Sequence, residues 1–169
     1  MIERHPGERV LVHCVSYKLT EFLFGELVGE MDGREMIRYR GADGRARAER
    51  QLRESDGGVL FAPSFERGVD LVGDACRVVI VAKIPFPNLG DQQVSARLHR
   101  QGGQTWYSCA TVRSLVQMTG RAVRGEDDWA VCYLLDAQFV KQVLRKNRWL
   151  LPEWWREALV TDFPVKELV

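Results

Sequence analysis

The segment QMTGRAVR, residues 117–124, contains side chains whose types and spacing could bind a chain of phosphates. Arg121 and Arg124 are three residues apart, so they share one face if the segment is helical, and Gln117 lies one turn before Arg121. Gly120 has no side chain to block close approach. Two guanidinium groups beside an amide can hold a triphosphate through paired hydrogen bonds. An ordinary solvated helix would have the same residues, so this segment alone leaves both interpretations open.

The composition is typical of a soluble globular protein, and the spacing of the cysteines argues against a metal site. A 169-residue chain with 46% hydrophobic and 28% charged residues predicts one domain with a real core. The net charge of +1 gives no overall electrostatic reason to bind nucleic acid. The four cysteines are far apart, without CxxC, which argues against zinc or iron–sulfur binding in this chain. Cys14 and Cys132 lie in apolar runs, and we expect both to be buried.

Nothing in the sequence predicts a membrane segment or an export signal. No apolar run approaches about 20 residues, and the N-terminal residues are charged. We therefore expect a cytoplasmic protein without a membrane partner, in a reducing compartment.

Alternating apolar strands and amphipathic helices predict an α/β fold with a mostly parallel sheet covered on both faces. A turn is predicted at residues 41–44, and loops at 63–70 and 84–91 follow strands directly. Because chemistry gathers at the carboxyl ends of parallel strands, we expect the polar loops to meet at one sheet edge. The predicted strands are residues 8–14, 36–40, 58–62, 77–83 and 130–135. The predicted helices are residues 17–28, capped by Ser16, then 45–54, 92–100 and 106–124, one beginning at Asp136, and one with Pro152 at its first position.

Three further features have two interpretations each. Seven arginines between Arg34 and Arg53 could form a solvated surface or a basic rim for a nucleic acid backbone. Trp106 and Tyr107 could be core residues or could stack on bases. The tryptophans near the C-terminus could pack the last helix or face a partner domain; they are Trp149, Trp154 and Trp155. His13, within an apolar strand, is expected in the core.

An ordered set of motifs gives the sequence its family resemblance. It consists of SFERGVDL, KIPFPNLGD, QMTGRAVR, the acidic pair Asp127-Asp128 and LLD. Nearly the whole chain, from LVHCVSYK to the helix after LLDAQF, resembles the second RecA-like motor domain of superfamily 2 DNA helicases of the XPD and DinG family. The resemblance implies a RecA-like three-layer domain spanning residues 1–169.

The resemblance also implies a role for individual residues. Arg121 and Arg124 match arginine fingers that reach the phosphates of ATP bound on a first motor domain, and Gln117 matches a glutamine near the nucleotide. The residues implied beside the nucleotide are Glu66, Gly68, Asp70 and Gly120. The residues implied near single-stranded DNA are Ser16, Tyr17 and Ser64. ATP and Mg²⁺ are the implied cofactors, shared with the first motor domain in cis, and the family's iron–sulfur cysteines belong to that other domain.

Two motifs that an ATPase needs do not occur in the sequence. There is no GxxxxGK[ST] phosphate loop and no DEAH-type acidic box for Mg²⁺. We therefore expect half of a helicase motor, an excised piece or a split gene, that does not hydrolyse ATP alone. The alternative is a stand-alone module, derived from a helicase domain, that only binds nucleic acid or protein. DNA repair is a role that the resemblance associates with the family.

Overall fold

The computed structural model describes residues 1–31, 33–63, 75–120, 123 and 128–160. These residues fall into two compact units. The first unit consists of Met1–Lys83 and Met118–Leu135, and the second of Ile84–Gln117 and Asp136–Val169. That the chain forms a single domain stays a prediction.

A five-stranded parallel sheet organises the first unit, as the sequence predicts. The strands are β1 (Val10–His13), β2 (Met36–Arg38), β3 (Val59–Ala62), β4 (Val78–Val81) and β5 (Val131–Leu134). Their order is β2-β3-β1-β4-β5, and every pair is parallel. The three central strands are completely buried, which fits their continuous apolar sequences.

Two helices of the first unit cover opposite faces of the sheet, because alternate residues of a strand point to opposite sides. These helices are α1 (Tyr17–Leu27) and α2 (Gly41–Glu54). One face packs Leu11, Leu60 and Val79 with Ala48 and Leu52 of α2. The other face packs Val12, Phe61 and Ile80 with Leu23 and Phe24 of α1. Complete burial of a valine, leucine, isoleucine or phenylalanine side chain stabilises the fold by about 1.5–3 kcal/mol.

The second unit is helical in its described part. Its regular elements are α3 (Gln92–Leu98), all but the last two residues of α4 (Gly103–Thr119), a π-helix (Phe139–Leu144), α5 (Arg145–Asn147), a 3-10 turn (Arg148–Leu150) and α6 (Glu153–Glu157). Phe139 meets Trp155 edge to face, with ring centroids 5.8 Å apart. Pro152 is the N-cap of α6 and not its first residue.

The prediction of a turn at residues 41–44 is wrong, since these residues are the first turn of α2. Two glycines and an aspartate are typical of a turn, but here Gly41 starts the helix with φ +69° and Asp43 lies near its positive end. The prediction of a helix over residues 106–124 is also wrong at the C-terminal end of the helix. It stops at Thr119, Gly120 is a turn residue, and Val123 is outside any helix.

In the described part of the chain, no helix is both long and apolar enough to cross a bilayer.

Candidate nucleotide and nucleic-acid site

The carboxyl ends of the parallel strands place Ser16 and Tyr17 at one edge of the sheet in the first unit. They follow β1, the middle strand, whose neighbours are β3 and β4. The chain leaves β3 at Ala62 on the same edge, and it leaves β2 there toward Arg40. This is the edge at which open parallel sheets bind ligands.

A strained residue turns the chain from β1 into α1. Val15 has φ +62°, and it is the only residue other than glycine with a positive φ in the part of the chain that the structure describes. A β-branched residue rarely adopts this conformation, and such strain often marks functional sites. The turn allows the hydroxyl of Ser16 to accept a hydrogen bond from the backbone N–H of Leu19 at 3.2 Å. The predicted N-cap is confirmed, and contact of Ser16 with a DNA strand stays a prediction.

Tyr17 is half-exposed and anchored at the same edge. Its phenol oxygen accepts a hydrogen bond from the backbone N–H of Gly41 at 3.2 Å, which ties the start of α1 to the start of α2. The adjacent Arg40 donates to Glu21 at 3.1 Å, and this bond is the main reason that the pKa of the Glu21 carboxyl lies below its usual value. This edge of the sheet therefore carries the ring of Tyr17 beside the guanidinium of Arg40, whose charge Glu21 partly neutralises.

Protein partners already engage most of the neighbouring arginines. Arg34 donates to four backbone carbonyls, those of Ile2, His5, Glu8 and Gly57. Of the others, Arg38 pairs with Glu21 and Arg45 with Glu49. These contacts favour the solvated, structural interpretation of the arginine-rich segment over a continuous basic rim.

The end of α4 fixes the point at which the chain enters the segment GRAVR. Thr119 is buried, and its carbonyl accepts a hydrogen bond from the thiol of Cys132 on β5 at 3.4 Å. Gly120 follows as an exposed turn residue of the first unit, whereas the exposed Gln117 belongs to the second unit. The other predicted site residues lie outside the residues that the structure describes: Ser64, Glu66, Gly68, Asp70, Arg121 and Arg124.

Two aspartates of the motif set have structural contacts. Asp128 forms an ion pair with Arg77 just before β5 and β4, at the sheet edge opposite Ser16, and Arg77 also stacks on Trp129 at 5.0 Å. Asp136 accepts from the backbone N–H of Ile84 at 3.0 Å and from that of Gln138 at 2.9 Å. It therefore caps the helix after β5 and also holds the loop after β4. The sequence predicted only that a helix begins at Asp136.

Two buried cysteines are unreactive thiols, and one prediction about cysteine is wrong. Burial raises the pKa of Cys14 to about 11 and that of Cys76 to about 12, so neither is a nucleophile at neutral pH. Cys14 and His13 are in the core as expected. Cys132 is on an edge strand of the described sheet and is exposed by its surface area, which contradicts the expected core position, yet its thiol donates inward to the carbonyl of Thr119 and desolvation raises its pKa to about 11. No metal-binding group of three or more His, Cys, Asp or Glu occurs within the described ranges.

The aromatic residues of the second unit divide into anchored and exposed ones. Tyr107 is partly buried, donates to the carbonyl of Pro87 at 3.0 Å and stacks on Phe86. Trp106 is also partly buried, so neither residue is a full core residue. Trp155 is buried, but Trp149 and Trp154 are 68% and 59% exposed. Of the two interpretations of these tryptophans, packing of the last helix therefore applies to Trp155 and does not account for Trp149 and Trp154.

Comparison with known proteins places this architecture among helicases. The family profile described as "Helicase C-terminal domain" matches residues 1–158. The chain is 33% identical over 121 residues to the Fanconi anemia group J protein homolog of Gallus gallus, covering 63% of the chain and 9% of the relative. It is 30% identical over 145 residues to a protein named "Probable ATP-dependent helicase" of Methanocaldococcus jannaschii, covering 75% and 22%.

Solved structures show the same fold at low identity. The chain is similar to S. tokodaii Xpd4 with a TM-score of 0.60 and 18% identity, over 90% of the chain and 31% of that structure. It is similar to the C-terminal domain of the DEAD-box protein Dbp5 with a TM-score of 0.53 and 16% identity, over 84% and 68%. These likenesses confirm the RecA-like fold. The chain spans only 9–22% of the length of the two curated relatives above.

Proposed function

Because the chain belongs to the helicase C-terminal domain family, among relatives of the XPD type, we propose that it is the second motor domain of an ATP-dependent DNA helicase. A first motor domain would hold ATP and Mg²⁺, and this chain would complete the site across a cleft. The family match over residues 1–158 is the observation that carries the proposal.

In this proposal Arg121 and Arg124 stabilise the charge that develops on the transferred phosphoryl group, and Gln117 lies near the nucleotide. Phosphoryl transfer depends on positioning and on charge stabilisation, and one arginine supplied in trans contributes about 10³–10⁵ in rate. Glu66, Gly68, Asp70 and Gly120 would line the nucleotide side of the cleft. The fixed end of α4 supports this assignment, since Gly120 directly precedes the first arginine.

Supplying the fingers from a second domain makes hydrolysis depend on domain closure. Closure that alternates with opening can convert ATP turnover into movement along a strand. Ser16, Tyr17 and Ser64 would contact single-stranded DNA. The position of Ser16 and Tyr17 at the carboxyl edge of the sheet supports that role. A cytoplasmic location and a role in DNA repair stay predictions.

The test is DNA-stimulated ATPase activity of the chain mixed with a purified first motor domain of an XPD-type helicase. We expect no ATPase activity from the chain alone, because its sequence has no phosphate loop. We expect stimulated activity in the mixture, and a loss of about 10³-fold or more with Arg121→Ala. The matched control is Arg113→Gln, which removes an exposed arginine of α4 outside the motif.

Clear ATPase activity of the isolated chain that Arg121→Ala abolishes would refute the two-domain assignment. Binding of single-stranded DNA that is indifferent to ATP, together with no activity in the mixture, would instead favour the stand-alone binding module. Equal losses in Arg121→Ala and Arg113→Gln would show that general charge matters and a finger does not.

A further inference from the structure

A cationic groove lies within the second unit, at the hairpin between α3 and α4. Its volume is about 710 Å³, and the side chains that matter for its chemistry are Gln93, Arg97, Arg100, Gln101 and Trp106. No aspartate or glutamate is among the residues that line it. The groove therefore combines positive charge, amide groups and one large aromatic ring.

Two glycines build the hairpin that forms the groove. Gly102 has φ +73°, a conformation that favours glycine, so the chain can turn sharply after α3. A Cβ on Gly103 would lie 2.2 Å from the carbonyl oxygen of Leu98, so only glycine fits at the start of α4. This tight turn brings the side chain of Arg97 onto the ring of Trp106, with the guanidinium carbon 4.3 Å from the ring centroid.

The two arginines of the groove are available to bind a ligand. Neither Arg97 nor Arg100 forms an ion pair with any carboxylate of the described ranges, whereas Arg40 and Arg77 do. Both side chains are exposed. Stacking on Trp106 orders the Arg97 guanidinium while leaving its N–H groups at the plane's edge free to donate.

We propose that this groove binds a segment of single-stranded nucleic acid. A base can stack on the layered Arg97–Trp106 pair, because both guanidinium planes and aromatic rings serve as stacking platforms for bases. Arg100 is placed to meet a phosphate, and the amides of Gln93 and Gln101 can donate to and accept from base edges. The proposal extends the strand contact of the proposed function to residues outside the helicase motifs, and it rests on that function for its ligand class.

An acidic protein segment is the competing occupant, and the groove is less suited to it. Carboxylates would use the two arginines but would leave the ring of Trp106 and the amides without a matched partner. A nucleotide supplies a flat ring, hydrogen-bonding edges and an anion together, which are the three features that this groove recognises.

The experiment measures the affinity of the 169-residue chain for a short fluorescein-labelled oligothymidylate by anisotropy over a salt series. Trp106→Leu should weaken binding about tenfold, the usual effect of removing a stacking platform. Trp106→Phe keeps a smaller ring and should give an intermediate loss. Trp154→Leu, at an exposed tryptophan outside the groove, is the matched control.

Arg100→Gln should lower the slope of log affinity against log salt by about 0.7, the value for one phosphate contact on a single strand. Arg113→Gln removes the same charge elsewhere on α4 and should leave the slope unchanged. Unaltered affinity in Trp106→Leu, or equal slope changes in the two arginine variants, would overturn the proposal. Displacement of the oligonucleotide by polyglutamate with the same dependence on Trp106 would assign the groove to an acidic protein segment instead.

The binding experiment and the ATPase experiment test the groove and the proposed function separately. Trp106-dependent binding without ATPase activity in the mixture with a first motor domain would retain the groove and refute the proposed function. Stimulated ATPase activity together with binding that Tyr17→Ala reduces and Trp106→Leu does not would retain the function and refute the groove.

Discussion

Val15 has a backbone conformation that valine seldom adopts, at the point where β1 leads into α1. The left-handed region costs a residue with a Cβ about 1–2 kcal/mol, and a β-branched side chain is the least suited to it. The rest of the first unit holds the residue there, since Ser16 caps α1 and Tyr17 is hydrogen-bonded to Gly41. The conformation of Val15 directs the chain so that Ser16 and Tyr17 lie at the sheet edge.

Val15→Gly tests this strain. Glycine removes the penalty at φ +62° but increases the entropy of the unfolded chain, so the free energy of unfolding should stay equal or rise by up to about 1 kcal/mol. Val28→Gly is the matched control: Val28 is the exposed C-cap residue of α1 with φ −61°, so glycine relieves no strain there and only increases the entropy of the unfolded chain, which should lower the free energy of unfolding. Urea unfolding measures both. Equal decreases in the free energy of unfolding of the two variants would show that Val15 is not strained.

Arg34 shows how a charged residue can serve structure. Its guanidinium donates to carbonyls of the segment before β1 and to that of Gly57 before β3. The carbonyls of Ile2 and His5 also accept hydrogen bonds within local turns, from the backbone N–H groups of His5 and Glu8, so Arg34 gives each of them a second donor. The sequence left a solvated surface and a nucleic-acid contact both open for this arginine, and its hydrogen bonds to backbone carbonyls assign it to the fold.

At the scale of the element, Asp136 links the helix after β5 to the loop after β4. One carboxylate oxygen caps the helix and the other accepts from the N–H of Ile84, which is completely buried. Asp91 performs only the capping function, for α3. The two aspartates therefore allow the second contact to be measured separately.

Asp136→Ala should lower the free energy of unfolding by about 2–4 kcal/mol, because it removes a cap and leaves a buried N–H without an acceptor. Asp91→Ala should cost about 1 kcal/mol, the usual value for a cap alone. Chemical denaturation of both variants gives the comparison. A difference of less than about 0.5 kcal/mol between them would show that the bond to Ile84 contributes little.

At the scale of the whole molecule, the sheet buries a thiol on each of its faces. Cys76 packs with the cluster under α2, and Cys14 with the cluster under α1. Burial raises both pKa values above the value of 9.0 for an accessible thiol, to about 12 and about 11. The folded chain therefore keeps these protons at a pH at which the unfolded chain loses them.

Stability should consequently fall as the pH rises above about 9. Below that pH both thiols are protonated in both states and contribute no pH dependence. Above it each thiol lowers the free energy of unfolding by about 1.4 kcal/mol per pH unit, until the pH reaches the raised pKa. Between pH 8 and pH 10.5, the stability measured by thermal unfolding should decline less in Cys14→Ala than in the unsubstituted chain. Cys109→Ala, which removes an exposed thiol, is the control, and an equal decline in all three proteins would contradict the assignment.

The sequence alone determined which segments of the first unit are strands and which family the chain belongs to, but not the order of the strands in the sheet. Continuous runs such as those of β3 and β4 are apolar enough to be buried strands in any arrangement, and the motif set has a fixed order along the chain. The cap at Ser16 and the core position of Cys14 were predictable for the same reason, since each depends on residues close in sequence.

Only the tertiary structure decided the features that depend on contacts between distant segments. Residues 41–44 have the composition of a turn, but α2 begins at Gly41, whose backbone N–H donates to the distant phenol oxygen of Tyr17. Cys132 lies in an apolar run, yet it is on an edge strand of the described sheet and is exposed by its surface area. The second bond of Asp136 and the Arg97–Trp106 pair likewise join residues that no local pattern connects. Spacing along the chain predicts which side chains share an element, whereas the partner each one meets is set by how the chain folds back on itself.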